Sequence, residues 1–127
     1  MSIERVSIQS RHVVEGVLRT NGSDAGVVIC HPHPLYGGSL HNNVVDAVEE
    51  GFYSAGFTTL RFNFRGVGGS GGHYDEGEGE VDDLIACLDF LKTRLNDDAY
   101  VMLAGYSFVA WICSKAADKV DGISGMF

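Results

Sequence analysis

Basic side chains are scarce in this sequence. Nine lysines and arginines stand against seventeen aspartates and glutamates, a formal charge of −8 over 127 residues. A nucleic acid partner needs a basic face to neutralise its phosphates, so that class of function is excluded. No basic amphipathic segment is present for an anionic membrane surface. Long apolar runs are missing too, and no window approaches the stretch that crosses a bilayer. Met1 to Ser10 alternates polar and apolar residues and lacks the continuous apolar stretch of a signal peptide, so a cytoplasmic protein is expected. Cysteine is sparse as well. Cys30, Cys87 and Cys113 are odd in number, far apart and each set in an apolar run. That pattern fits buried reduced thiols rather than a disulfide framework or a metal site.

What is present is an ordinary apolar fraction, 45%, enough for one real core. Residues 1–127 read as a single domain. Val6 and Ile8, then Val13 to Leu18, form two β-like runs joined tightly around Ser10 to His12. Gly26 to Cys30 is a short continuous apolar run, typical of a strand buried on both faces. Val44, Val45, Val48 and Phe52 share one face of a helix over 42–54, with Gly56 as its stop. Phe57 to Phe64 is a further strand, and a helix starting near Gly79 carries Val81, Leu84, Leu88, Leu91 and Leu95 at spacings of three and four. A buried strand over 100–104, a helix over 107–117 and a last strand over 121–127 complete the order. Two initial strands followed by alternating strand and helix predict a mostly parallel sheet with helices on both faces, an α/β fold.

The chemistry concentrates at Gly105-Tyr106-Ser107-Phe108-Val109, which closes a buried strand and opens a helix. Such a turn exposes a serine hydroxyl above the sheet, while the helix N-terminus offers partial positive charge to an oxyanion. The backbone N–H of Phe108 then becomes one oxyanion donor. Ser107 also suits a plain helix N-cap.

Two other patterns compete. Gly66-Val67-Gly68-Gly69-Ser70-Gly71 has the spacing of a dinucleotide loop. It does not open a helix at its third glycine, however, and six carboxylates between Asp75 and Asp83 would repel a pyrophosphate. Those carboxylates suit a helix N-terminus better. His31 and His33 would hold a metal if joined by His41, His73 or Asp46, which gives a metal-dependent hydrolase as an alternative. Pro32 and Pro34 fit a rigid loop equally well. No cofactor or metal is otherwise implied.

His31-Pro32-His33-Pro34, Arg61-Phe62-Asn63-Phe64-Arg65-Gly66-Val67-Gly68-Gly69-Ser70 and Ala104-Gly105-Tyr106-Ser107-Phe108 occur in this order. Together they resemble a family of small bacterial α/β-hydrolases, relatives of the dienelactone hydrolases and carboxylesterases, over nearly the whole chain. The resemblance implies the N-terminal part of an α/β-hydrolase fold, a single incomplete domain. It implies a serine-dependent hydrolase of esters or related acyl compounds, with Ser107 as nucleophile and no cofactor. It places the second oxyanion donor at the backbone N–H of His33 or Leu35, since Pro34 has none to give.

Two departures are visible. Val109 takes the last glycine position of G-x-S-x-G, and its added bulk is expected to part helix from sheet at about 1–3 kcal/mol. The triad order of this fold is Ser, acid, His. All five histidines precede Ser107, and Asp118 and Asp121 are the only later carboxylates. The acid and base are therefore expected from beyond Phe127 or from another chain, with an inert fragment or partner-binding half as the alternative. The last strand is expected to leave an uncovered edge suited to self-association.

Overall fold

The computed structural model describes residues 2–31, 39–73, 75, 78–105, 108–119 and 123–127, with every side chain among them except those of 2, 108–111, 118 and 126. Six strands and three helices follow in the order β1 (Ser2–Gln9), β2 (Val13–Thr20), β3 (Ala25–Ile29), α1 (Asn43–Ser54), β4 (Thr58–Phe62), α2 (Glu78–Lys92), β5 (Tyr100–Ala104), α3 (Phe108–Lys119) and β6 (Gly125–Met126). They build one sheet in the order β1-β2-β4-β3-β5-β6. β1 and β2 pair as an antiparallel hairpin from Gln9↔Val13 to Ser2↔Thr20, and β2 lies antiparallel to β4. The other neighbours, β4 with β3, β3 with β5 and β5 with β6, are parallel.

The continuous apolar character of β3 follows from its central place. Val27 and Ile29 face α1, packed with Val45 and with half-buried Val48 and Phe52. Val28 and Cys30 face α2 and α3, among Leu84, Leu88, Leu91, Ile112, Cys113 and Ala116. One face thus carries α1 and the other carries α2 and α3, as the alternating pattern predicts. All three cysteines are buried free thiols, as expected.

Local signals set the helix ends. The Asn42 side chain accepts from the Val44 N–H at 2.8 Å and caps α1. Gly56 ends it at φ +97°, a left-handed conformation that costs a side chain about 1–2 kcal/mol. The Gly56 and Phe57 N–H groups return to the carbonyls of Tyr53 and Phe52, both at 3.0 Å, and the Phe57 ring meets Phe52 edge-on. At α2 the Asp75 carboxylate accepts from the Gly79 N–H at 3.0 Å, while the Glu80 carboxylate accepts from the Asp75 N–H at 2.9 Å. Two members of the acidic run therefore satisfy backbone donors near the helix start.

A third member, Asp83, has no exposed surface. Its two oxygens accept from Arg65 Nε and Nη2 at 3.2 and 3.0 Å, and from the Arg65 backbone N–H at 2.9 Å. The guanidinium occupies the space where a Cβ at Gly79 would stand, so any side chain there would have to displace Arg65 from its place beside Asp83. This pair fastens the glycine-rich loop to α2. The loop is held from its other side by β2. Gly71 N–H donates to the Val13 carbonyl at 2.8 Å, and Gly69 N–H donates to Glu15 Oε1 at 2.9 Å. The Ser70 hydroxyl donates to the Asn63 carbonyl at 2.6 Å and accepts from the Glu15 N–H at 2.8 Å.

The final strand is shorter than the sequence suggests. Strand geometry is confined to Gly125–Met126, flanked by bonds from the Ser124 and Phe127 N–H groups to the Val101 and Leu103 carbonyls, and the outer edge of β6 has no strand beside it among the described residues. Apolar content over 121–127 marked the segment, but strand length is decided by ladder partners, and residues 120–122 lie outside those described. Phe127 is 71% exposed at this edge.

Removing Arg65 would leave Asp83 buried without its counter-ion. Arg65→Met should therefore lower the unfolding free energy by about 3–5 kcal/mol, read by urea denaturation; a loss below 1 kcal/mol would show the pair to be incidental. The Gly69 N–H holds the Glu15 carboxyl below its ordinary value of 4.5, against the opposing pull of partial burial and with help from Asn63. A lowered folded-state value contributes stability above the unfolded pKa that is lost as pH falls through the folded one. Acidification below about pH 4.5 should therefore destabilise the wild type more steeply than Glu15→Gln, with equal slopes as the contrary result.

Candidate active site

The site is positioned by the parallel pairing of β3 and β5. Ile29 stands opposite Ala104, and the Cys30 N–H continues the ladder to the Ala104 carbonyl at 2.9 Å. The chain leaving β3 into the His-Pro-His-Pro segment and the chain leaving β5 into the serine turn therefore depart side by side from one end of the sheet. From β3 the next strand, β4, is laid down on one side, whereas β5 is laid down on the other. Such a reversal of strand order opens a crevice at the carboxyl ends of the strands, the usual ligand position in α/β sheets.

His33, Leu35 and Ser107 lie outside the described residues. Phe108 is the first residue of α3, and Gly105 follows β5 directly, so the strand–turn–helix boundaries expected around Ser107 are present. The side chain of Val109 and that of Asp118, near the end of α3, are not described, and Asp121 lies outside the described residues.

His31 has a different role from the one a metal site would give it. It is fully buried, and its Nε2 accepts from the Phe64 N–H at 3.1 Å, with the ring edge-on to Phe64 at 5.0 Å. An accepting Nε2 carries no proton, and its lone pair is already engaged. His41 and His73 are exposed, and Asp46 pairs with Arg61 at 2.8 Å. Among the described residues no group of three His, Cys, Asp or Glu side chains is arranged to hold a metal ion.

The glycine loop does not present a phosphate cradle. Two of its amides are spent on the Glu15 carboxylate and the Val13 carbonyl, and Gly66 N–H donates to the Gly71 carbonyl at 2.9 Å. Its motif is structural. Glu15 could not be recognised as its partner from local pattern, because that residue is more than fifty positions earlier.

The Cys30 and Cys87 thiols are poor nucleophiles. Burial pushes Cys30 and Cys87 well above the ordinary thiol range. Cys30 Sγ lies 3.7 Å from Cys113 Sγ and packs the end of β3 against α3.

Between the ends of β3 and β5 lies an apolar hollow of about 180 Å³. Ile29, Val45, Val48, Ala104, Gly105 and Phe127 line it, and Gly105 is two residues before Ser107. A wider apolar trough continues from it past Phe52, Phe57, Tyr100 and Met102. No described helix is long and apolar enough to cross a membrane.

With this geometry in place, similarity to known proteins is informative. Residues 12–126 match the family of X-Pro dipeptidyl-peptidases, the S15 family. A protein of Rickettsia prowazekii is 46% identical over 88 residues, which are 69% of this chain and 37% of that protein. The structure of an alpha-beta serine hydrolase homologue from Coxiella burnetii is 38% identical, with a TM-score of 0.85 over 95% of this chain and 60% of its own. A putative alpha/beta hydrolase from Agrobacterium tumefaciens is 36% identical, with a TM-score of 0.88 over 97% of this chain and 58% of its own. The chain thus spans about three fifths of the length of these two structures, consistent with the N-terminal part of their fold. The match over residues 12–126, with the sheet order and the crevice between β3 and β5, places this chain in the X-Pro dipeptidyl-peptidase (S15) family of the α/β-hydrolases.

Proposed function

We propose that this chain carries the nucleophile and the oxyanion-binding half of a serine hydrolase that cleaves esters or related acyl compounds. The observation that supports this most directly is the side-by-side exit of the His-Pro-His-Pro segment and the serine turn from the paired ends of β3 and β5. In this reading the Ser107 oxygen bonds to the substrate's carbonyl carbon, and the negative charge on the carbonyl oxygen is met by the N–H of Phe108 and that of His33 or Leu35. Collapse breaks the carbon–oxygen bond to the alcohol, which leaves with the proton taken from Ser107. Water then releases the acid from the acyl-serine. The order of this fold is serine, acid, histidine, whereas all five histidines of residues 1–127 precede Ser107, so neither the base that carries these protons nor the acid that orients it is assigned to a residue here.

The family name refers to peptide cleavage after an X-Pro unit, which proceeds through the same acyl-serine. Recognition of a free peptide amino terminus calls for a carboxylate close to the serine. The described residues that line the hollow beside Gly105, among them Ile29, Val45, Val48 and Phe127, are apolar, which favours an apolar acyl group. A cavity of about 150 Å³ holds one benzene ring, so 180 Å³ suits an acyl group of about six carbons.

A fluorophosphonate probe should label Ser107 stoichiometrically, and Ser107→Ala should abolish the label by intact-mass spectrometry. No label on the wild type would favour the inert-fragment reading instead. Across a series of alkylphosphonofluoridates, the labelling rate should rise with chain length up to about six carbons. Val48→Phe should cut the preference for the hexyl over the methyl reagent by about tenfold, the discrimination one or two methylenes command in an apolar pocket. An unchanged ratio would place the acyl group elsewhere.

A further inference from the structure

We propose that Asn63 is the positioning residue of the oxyanion loop, an inference that rests on the reading of Ser107 as nucleophile and of His33 or Leu35 as donor. Residues 32–38 are bracketed by His31 and Leu40, and both brackets are held by consecutive residues at the exit of β4. Before the loop, His31 Nε2 accepts from the Phe64 N–H at 3.1 Å. After it, the Leu40 N–H donates to Asn63 Oδ1 at 2.8 Å. The Leu40 carbonyl also accepts from Arg61 Nη1 at 3.2 Å.

Asn63 is 2% exposed, and each of its polar groups is engaged. Its backbone N–H donates to the Glu15 carbonyl at 2.9 Å, and its carbonyl accepts from the Ser70 hydroxyl at 2.6 Å. The side-chain Nδ2 donates to Glu15 Oε1 at 2.5 Å. Only one orientation of the amide satisfies both neighbours, because the Leu40 side offers a donor and the Glu15 side offers an acceptor. Glu15 therefore fixes the direction of Asn63, and Asn63 fixes where the chain re-enters after the loop. This goes beyond fold maintenance. An oxyanion donor displaced by about 1 Å loses much of its effect on the transition state, and Leu40 is the first residue after the loop with a buried anchor. Asn63 touches no substrate in this scheme; it acts through Leu40.

The polarity of the contact supplies the test. Asn63→Leu removes both side-chain bonds. Asn63→Asp keeps the acceptor for Leu40 but sets a carboxylate against Glu15. Asn63→Asp combined with Glu15→Gln restores a donor opposite an acceptor with the direction reversed. Fluorophosphonate labelling of Ser107 in the full chain should slow by about ten- to a hundredfold in Asn63→Leu and Asn63→Asp, and recover in the double variant. Amide hydrogen exchange over residues 31–41 should rise and recover in the same order, while exchange in β3 and β5 stays constant. Leu91→Ala, which weakens the core far from the loop, should leave the labelling rate of the folded protein unchanged. A labelling rate that tracks the urea midpoint through all four variants, or a double variant no better than Asn63→Asp, overturns the proposal. If the wild type takes no label yet exchange over 31–41 follows the predicted order, the control of Asn63 over the loop stands and the nucleophile reading falls.

Discussion

The parallel ladder between β3 and β5 is the constraint on which the molecule turns. β3 lies between β4 and β5 and has no free edge, so both faces must be covered and both ladders satisfied. That requirement explains its unbroken apolar sequence and the placement of α1 on one side and α2 with α3 on the other. It also explains why two segments more than seventy residues apart leave the sheet together. A slip of β3 by a single residue would exchange Val27 and Val28 between the two faces. Chemistry at this end of the sheet therefore inherits its geometry from backbone pairing rather than from the loops that carry it.

Around this apolar frame runs a polar one. Glu15, Asn63, Ser70, Arg65 and Asp83 come from β2, the exit of β4, the glycine loop and α2, and each is wholly or largely removed from water. Groups of this kind are costly when unpaired, and here they are hydrogen-bonded to one another and to nearby backbone. Arg19 and Arg61 perform a similar service on the opposite face, where they meet Glu50, Glu49 and Asp46 of α1, and the Arg19 guanidinium lies 3.6 Å from the Tyr53 ring centre. The strongly acidic composition is thus partly structural: several carboxylates that count towards the net charge are spent on internal cations and helix amides.

Much of the architecture was legible because periodicity reports burial directly. The heptad-like spacing from Val81 to Leu91 and the apolar runs at 26–30 and 100–104 place their elements within a residue or two. The last strand was overestimated, since apolar content says that a segment is inside but not that it has a ladder partner. Long-range polar contacts were illegible. Nothing in Arg61-Phe62-Asn63-Phe64-Arg65 discloses that Asn63 reaches Glu15 and Leu40, or that Arg65 crosses α2 at Gly79. Likewise the sequence does not disclose that His31 Nε2 accepts from the Phe64 amide, thirty-three residues away. The strand end and the helix start on either side of Ser107 were readable, because a buried strand, a glycine and an abrupt helix start are all local signals.

The central position of β3 has a consequence for synthesis. It is made third, yet its partners arrive late: β4 begins at Thr58 and β5 only at Tyr100. On the ribosome the most apolar strand of the sheet must wait with an unpaired edge for some seventy residues of translation, a delay of several seconds at ordinary elongation rates of about 5–20 residues per second. The hairpin of β1 and β2 closes at once, but it cannot shelter β3, because β4 is inserted between them. Nascent-chain protection, rather than equilibrium stability, is then the step at which this fold is most exposed to aggregation.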